Sequence, residues 1–132
     1  MTYQTAFPDF DRREPIDMLT AAGWTDESWA NDGCPRVHCG DAAIWIDYAD
    51  DSKRVCEVAP PFFVQYLVDG CFSPDNEAEE FETVEAALGA IYAKRIGYNP
   101  FADDATITAA EVARTLVEHQ AEGDKLIADI LA

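Results

Sequence analysis

The hydrophobic pattern is β-like from Arg36 to Val68 and helical from Val84 onward, and this switch constrains the fold more than any other feature of the chain. From Arg36 the period is two. Ala42–Tyr48, Arg54–Val58 and Phe62–Val68 are runs rich in β-branched and aromatic residues, separated by Ala49–Lys53 and Ala59–Pro61. The spacing predicts three antiparallel strands, with a fourth over Arg36–Cys39. A stretch of turn formers and acids, Asp69–Glu82, is expected as a loop. Beyond it Val84, Leu88, Ile91 and Tyr92 recur on one helical face. Thr83 is placed to cap that helix, Lys94 and Arg95 sit where cations favour its dipole, and Gly97 ends it.

Four further segments complete the chain. Thr2–Arg13 has no period and reads as an extended arm that docks Phe7 and Phe10. Glu14–Ala22 reads as a short helix, with Pro15 at its first position, Ile16 and Leu19 on one face and Gly23 as its cap. In Trp24–Trp29, Thr25 is placed to cap one helical turn that brings both tryptophans to the same side of the core. After a linker over Tyr98–Asp104, Thr108–Glu111 is a capping box that opens a final helical region. Its apolar stripe is Val112, Leu116, Ile127, Ile130 and Leu131, with Gly123 expected to kink or split it. The stripe either closes the core or forms a dimer seam. The order helix, meander, helix, helix lacks the regular alternation of a parallel sheet. The expectation is an α+β fold, a three- to four-stranded antiparallel sheet with helices packed on one face, as a single acidic domain over 1–132.

Charge is the most informative composition. The 132 residues hold 26 acids against 9 bases, a net charge of −17, yet 48% of the residues are hydrophobic. That hydrophobic share makes it a folding composition and not an acidic tail. Solubility alone needs about 2 to 8 charges. No apolar run spans a membrane, and Met1–Asp11 carries neither the basic nor the apolar stretch of a secretory leader, so the expected location is the cytoplasm, or the host cytoplasm for a phage-encoded chain. In that compartment Cys34, Cys39, Cys56 and Cys71 are expected as free and mostly buried thiols.

Catalytic signatures are weak. Cys34, His38 and Cys39 lie within six residues, but Cys56 and Cys71 stand alone and no paired knuckle forms. Adjacent His38 and Cys39 on a strand face opposite ways, which disfavours a nucleophile–base pair. Neither Asp47, Asp50 and Asp51 nor Asp75, Glu77, Glu79 and Glu80 fits a calcium loop. Phosphate loops, nucleophile elbows and zinc-protease motifs are missing. The expectation is no enzyme, no cofactor and no metal, with a small enzyme or zinc-binding accessory domain around Cys34, His38 and Cys39 as the alternative.

The acids are unevenly opposed. Between Val55 and Ala93 there is no lysine or arginine, while Glu57, Asp69, Asp75, Glu77, Glu79, Glu80, Glu82 and Glu85 contribute eight negative charges. A second group, Asp26, Glu27, Asp32, Asp41, Asp47, Asp50 and Asp51, has only Arg36 within it. Such a surface disfavours nucleic acid and anionic membranes as direct partners and suits a basic one. Carboxylates on neighbouring positions can match the ~3.4 Å phosphate repeat of a DNA strand. The expected activity is therefore that of an acidic inhibitor, a DNA mimic that blocks the basic nucleic-acid-binding surface of a protein or complex, as phage anti-CRISPR and other anti-defence proteins do. An immunity-type inhibitor of a cationic nuclease is the nearest alternative. The contact residues expected are Asp75, Glu77, Glu79, Glu80, Glu82, Glu85, Asp50 and Asp51, with Phe72 or Phe81 as anchors.

Overall fold

A computed structural model of the chain describes residues 2–55, 58–68, 71–72, 78–103 and 106–131. Its centre is an antiparallel sheet. Strands β1 (Thr25–Asp26), β2 (Arg36–Cys39), β3 (Ala42–Ile46) and β4 (Phe62–Val68) lie side by side in chain order. The free side of β4 takes two short strands. β6 (Glu79–Phe81) pairs with its first half, Phe62 opposite Phe81, and β5 (Cys71–Phe72) with its last residues, Leu67 opposite Phe72.

Alternation along the strands sorts their side chains. Val37, Cys39, Ala42, Ile44, Ile46, Phe62 and Val64 are buried on one face, against α2 (Arg13–Ala21), α3 (Val84–Ile96) and the first half of α5 (Ala109–Leu131). Ile16, Leu19, Leu88, Ile91, Val112 and Leu116 supply the helical side of this core and are fully buried. Burial of each such side chain contributes about 1.5–3 kcal/mol. The α+β class and the helix-covered face agree with the sequence expectation. Helix α3 starts and ends where its spacing predicted: the Thr83 hydroxyl accepts a bond from the Ala86 N–H at 3.1 Å, and Gly97 terminates it at φ 109°. The capping box also forms, with the Thr108 hydroxyl accepting from the Glu111 N–H at 3.2 Å.

Several local expectations are corrected. The N-terminal arm is not extended throughout, since α1 (Tyr3–Ala6) forms a helical turn before Phe7 and Phe10 dock in the core as expected. Residues 24–29 do not form a helical turn. Thr25 and Asp26 pair with His38 and Val37, so Trp24 is buried while Trp29 is 53% exposed, and the two do not share a side. The Trp24 indole N–H donates to the Ala113 carbonyl at 3.1 Å, tying the strand entry to α5.

Arg54, Val55 and Val58 lie outside any strand; Cys56 and Glu57 lie outside the described residues. The donors here serve a different purpose. Val55 N–H donates to the buried Asp47 carboxylate at 3.1 Å, and Arg54 Nε to the Tyr48 carbonyl at 2.8 Å, closing a loop around the single 3-10 turn Asp51–Lys53. The expected loop over Asp69–Glu82 contains β5 and β6 in its described residues. The expected linker before Thr108 contains a short helix, α4 (Pro100–Asp103), and Gly123 does not split α5, which runs unbroken through it.

Candidate functional site

Among the expected contact residues, Glu79 and Glu80 lie on β6, Glu82 follows it, and Glu85 sits in the first turn of α3. All four are exposed, and none of their side chains makes a hydrogen bond or ion pair among the described residues. Asp75 and Glu77 lie outside the described residues. Pairing with β4 fixes the orientation of the others. Glu80 registers opposite Phe63 and so shares the sheet face away from the helices, whereas Glu79 registers opposite Val64. The positive end of the α3 dipole favours the carboxylate of Glu85.

Asp50 and Asp51 emerge at the same end of the sheet, beyond β3, whose Ile46 is opposite Phe62. Strand β6 is two positions from β3, which separates the two acidic groups by roughly 10 Å at the sheet. Asp50 is more constrained than β6. Its carboxylate accepts from the Ser52 N–H at 3.0 Å and the Ser52 hydroxyl at 2.8 Å, which hold its pKa below the ordinary carboxylate value. Asp51 lies 3.7 Å from Arg54.

The second acidic group is opposed by more than Arg36. Asp41 meets Arg95 at 2.6 Å and Asp51 meets Arg54, while Arg36 lies 3.8 Å from Asp32. Asp26 accepts from the Tyr3 and Ser28 N–H groups, and Asp47 from Tyr48 and Val55. Apart from Glu27, every member of that group accepts a hydrogen bond or lies within 4 Å of an arginine, although Asp32 Oδ2 is buried without a hydrogen-bond partner among the described residues. The acids of β6 and the α3 start do not. Charge is also separated along α3: Lys94 sits 3.5 Å over the Tyr66 ring and Arg95 bonds Asp41, both about 14–15 Å along the helix from Glu85 at 1.5 Å per residue.

Beside β6 the uncovered sheet face is aromatic. Gly33, Cys34, Trp45, Val55, Phe63, Gln65 and Ala78 line a pocket of about 300 Å³. Trp45 donates its indole N–H to Gln65 at 3.3 Å, and Arg36 lies 5.1 Å over the Trp45 ring and 5.4 Å over that of Phe72. Phe72 also contacts His38 edge-on at 6.1 Å. Of the two expected anchors, Phe72 joins this face, while Phe81 packs half-buried against the helix-side core. The sequence reading missed Trp45 and Phe63 as surface groups. The signal was present, because β3 and β4 are apolar at both alternating sets of positions, as strands with two apolar faces are.

The Cys34, His38 and Cys39 region does not converge. His38 lies on the aromatic face and Cys39 in the core, where Arg95 approaches its Sγ at 3.6 Å. Burial pushes the Cys34 thiol up to about 12, with the charges of Asp47 and Asp32 adding to it, which removes thiolate character. Burial, then the Arg36 charge, lowers the His38 pKa, and its Nε2 has no hydrogen-bond partner among the described residues. No three His, Cys, Asp or Glu side chains among those residues are grouped to hold a metal ion, and no helix among them is long and apolar enough to cross a membrane. In comparisons with known proteins the chain matches no family model, no curated protein and no solved structure.

Proposed function

We propose that the chain is an acidic binding protein that occupies the basic, nucleic-acid-binding surface of a protein partner and so competes with nucleic acid for it. The observation that carries this reading is the contrast in charge pairing. Glu79, Glu80, Glu82 and Glu85 are exposed and unpaired along β6 and the start of α3, whereas the acids around Asp26–Asp51 are mostly tied to donors within the fold. Unpaired carboxylates keep their full charge for a partner and attract it over a distance set by salt. The aromatic pocket bordering Glu80 supplies apolar area for specificity, since buried aromatic contacts set residence time where charge sets the association rate.

Nucleic-acid-handling defence complexes present such basic channels. A phage-type inhibitor of one, of the anti-CRISPR or related anti-defence kind, is the setting this reading favours. An immunity-type inhibitor of a cationic nuclease would use the same surface. The test is the triple reversal Glu79→Lys, Glu80→Lys, Glu82→Lys in a pull-down from host lysate at low and high salt. The reading expects a basic nucleic-acid-binding protein retained at low salt, released at high salt and lost with the variant. Equal retention by the variant would place the contact elsewhere on the molecule.

A further inference from the structure

The second half of α5 is only loosely held by the body of the fold: Gly123, Asp124 and Ile127 border an open cleft with Gly40, Asp41 and Arg95, and the helix beyond Ile127 projects from it. From Ala121 to Leu131 every residue is exposed, and Leu126, Ile127, Ile130 and Leu131 are 62%, 57%, 74% and 81% exposed. At 100° per residue Ile127, Ile130 and Leu131 continue the stripe that Val112, Ala113 and Leu116 bury in the core. A helical segment of this length is marginal in water without packing. We propose that this half-helix is the seam of a homodimer, in which the α5 tails of two copies pack antiparallel.

Size and shape both favour a second copy. At roughly 120 Å² of apolar surface per large aliphatic side chain, the four residues leave roughly 330 Å² per copy. Complete burial on both copies removes about 650 Å², and at about 60% apolar content the whole interface is at most near 1,100 Å², the size of a weak, reversible association. The stripe is self-complementary: its large residues lie at the C-terminal end, and Gly123 lies toward the other. An antiparallel pair sets Leu131 of one copy against Gly123 of the other. In the monomer Gly123 has no structural reason. A Cβ there would meet nothing within 4 Å, and glycine inside a helix costs stability relative to alanine.

Asp124 flanks the stripe, Glu122 and Asp129 lie on the far side of the helix, and the chain carries a net charge of −17, so the copies meet against electrostatic repulsion. Self-association therefore tightens with salt, opposite to binding of a basic partner by the β6 edge. Sedimentation velocity of the full chain, under reducing conditions because Cys71 is exposed, tests this. The expected result is a monomer–dimer equilibrium that tightens at least about tenfold between ~0.05 and ~0.5 M NaCl. The double variant Ile127→Asp, Ile130→Asp removes it. Gly123→Ala, which retains the helix, weakens it about tenfold, and this separates loss of the seam from loss of fold. A chain that stays monomeric at high salt and high concentration overturns the proposal, as does a dimer indifferent to the double variant.

Discussion

Replacing Arg95 by methionine tests how the helix that carries the acidic edge is fastened to the sheet. The Arg95 side chain is 12% exposed and reaches from the last turn of α3 to the β2–β3 connection. There it donates to the Cys39 carbonyl at 2.7 Å and to the Asp41 carboxylate at 2.6 Å. Methionine preserves most of the buried stem and removes the donors. A charge-assisted hydrogen bond to a partly buried carbonyl contributes about 1.5–3 kcal/mol. The ion pair adds only about 0–1 kcal/mol, because Asp41 is 62% exposed. Arg95→Met should therefore cost about 2–3 kcal/mol and Asp41→Asn less than about 1 kcal/mol. In a domain of this size the first loss corresponds to a Tm drop of roughly 6–12 °C. Urea denaturation of both single variants and the double variant measures it, with Asp41→Asn expected to have no further effect once Arg95 is gone. An Arg95→Met cost below about 0.5 kcal/mol, or one matched by Asp41→Asn alone, would refute the assignment of the anchor to the carbonyl.

Three further outcomes follow from buried titratable groups. Because the folded state lowers the His38 pKa, the unfolded chain takes up that proton first as pH falls; the stability from neutral His38 is complete above about 6.5 and lost as pH drops through the folded value. His38→Gln should flatten the urea midpoint between pH 7 and pH 5, and an unchanged slope would contradict it. Cys34, raised to about 12 from 9.0, remains a thiol at pH 8. Timed alkylation followed by peptide mass mapping should modify the exposed Cys71 well before Cys34 and Cys39, and early labelling of Cys34 would contradict the burial. The same shift makes Cys34 a source of stability that is lost as pH rises from about 9 to about 12.

The elements that were legible in the sequence are those whose pattern and boundary signals agree. Helix α3 has an apolar face, a threonine cap, terminal cations and a glycine stop, and β4 has an unbroken β-rich run followed in the sequence by the turn formers Asp69 and Gly70. The missed elements depend on partners distant in the chain. Thr25 and Asp26 are strand residues because β2 accepts them, and Glu79–Phe81 is strand because β4 has a free side, neither of which local propensity reveals. Val55 illustrates the converse, since its N–H is taken by Asp47 before any ladder can form.

The candidate site was legible to the same degree. The cation-free run located the β6 acids, but the pairing of Asp41 with Arg95, 54 residues away, is invisible without the fold. The aromatic face beside Glu80 did leave a signal, since β3 and β4 are apolar on both alternating sets, but which of the two faces the helices cover is set by the fold.

The most direct test of the central claim is competition. A partner captured from host lysate is purified and titrated with the chain in the presence of increasing duplex DNA, with polyglutamate of equal charge as the control. Occupation of a nucleic-acid-binding surface predicts that DNA and the chain exclude one another, with apparent affinity falling in proportion to added DNA and far less with polyglutamate. A ternary complex of partner, DNA and chain would contradict it.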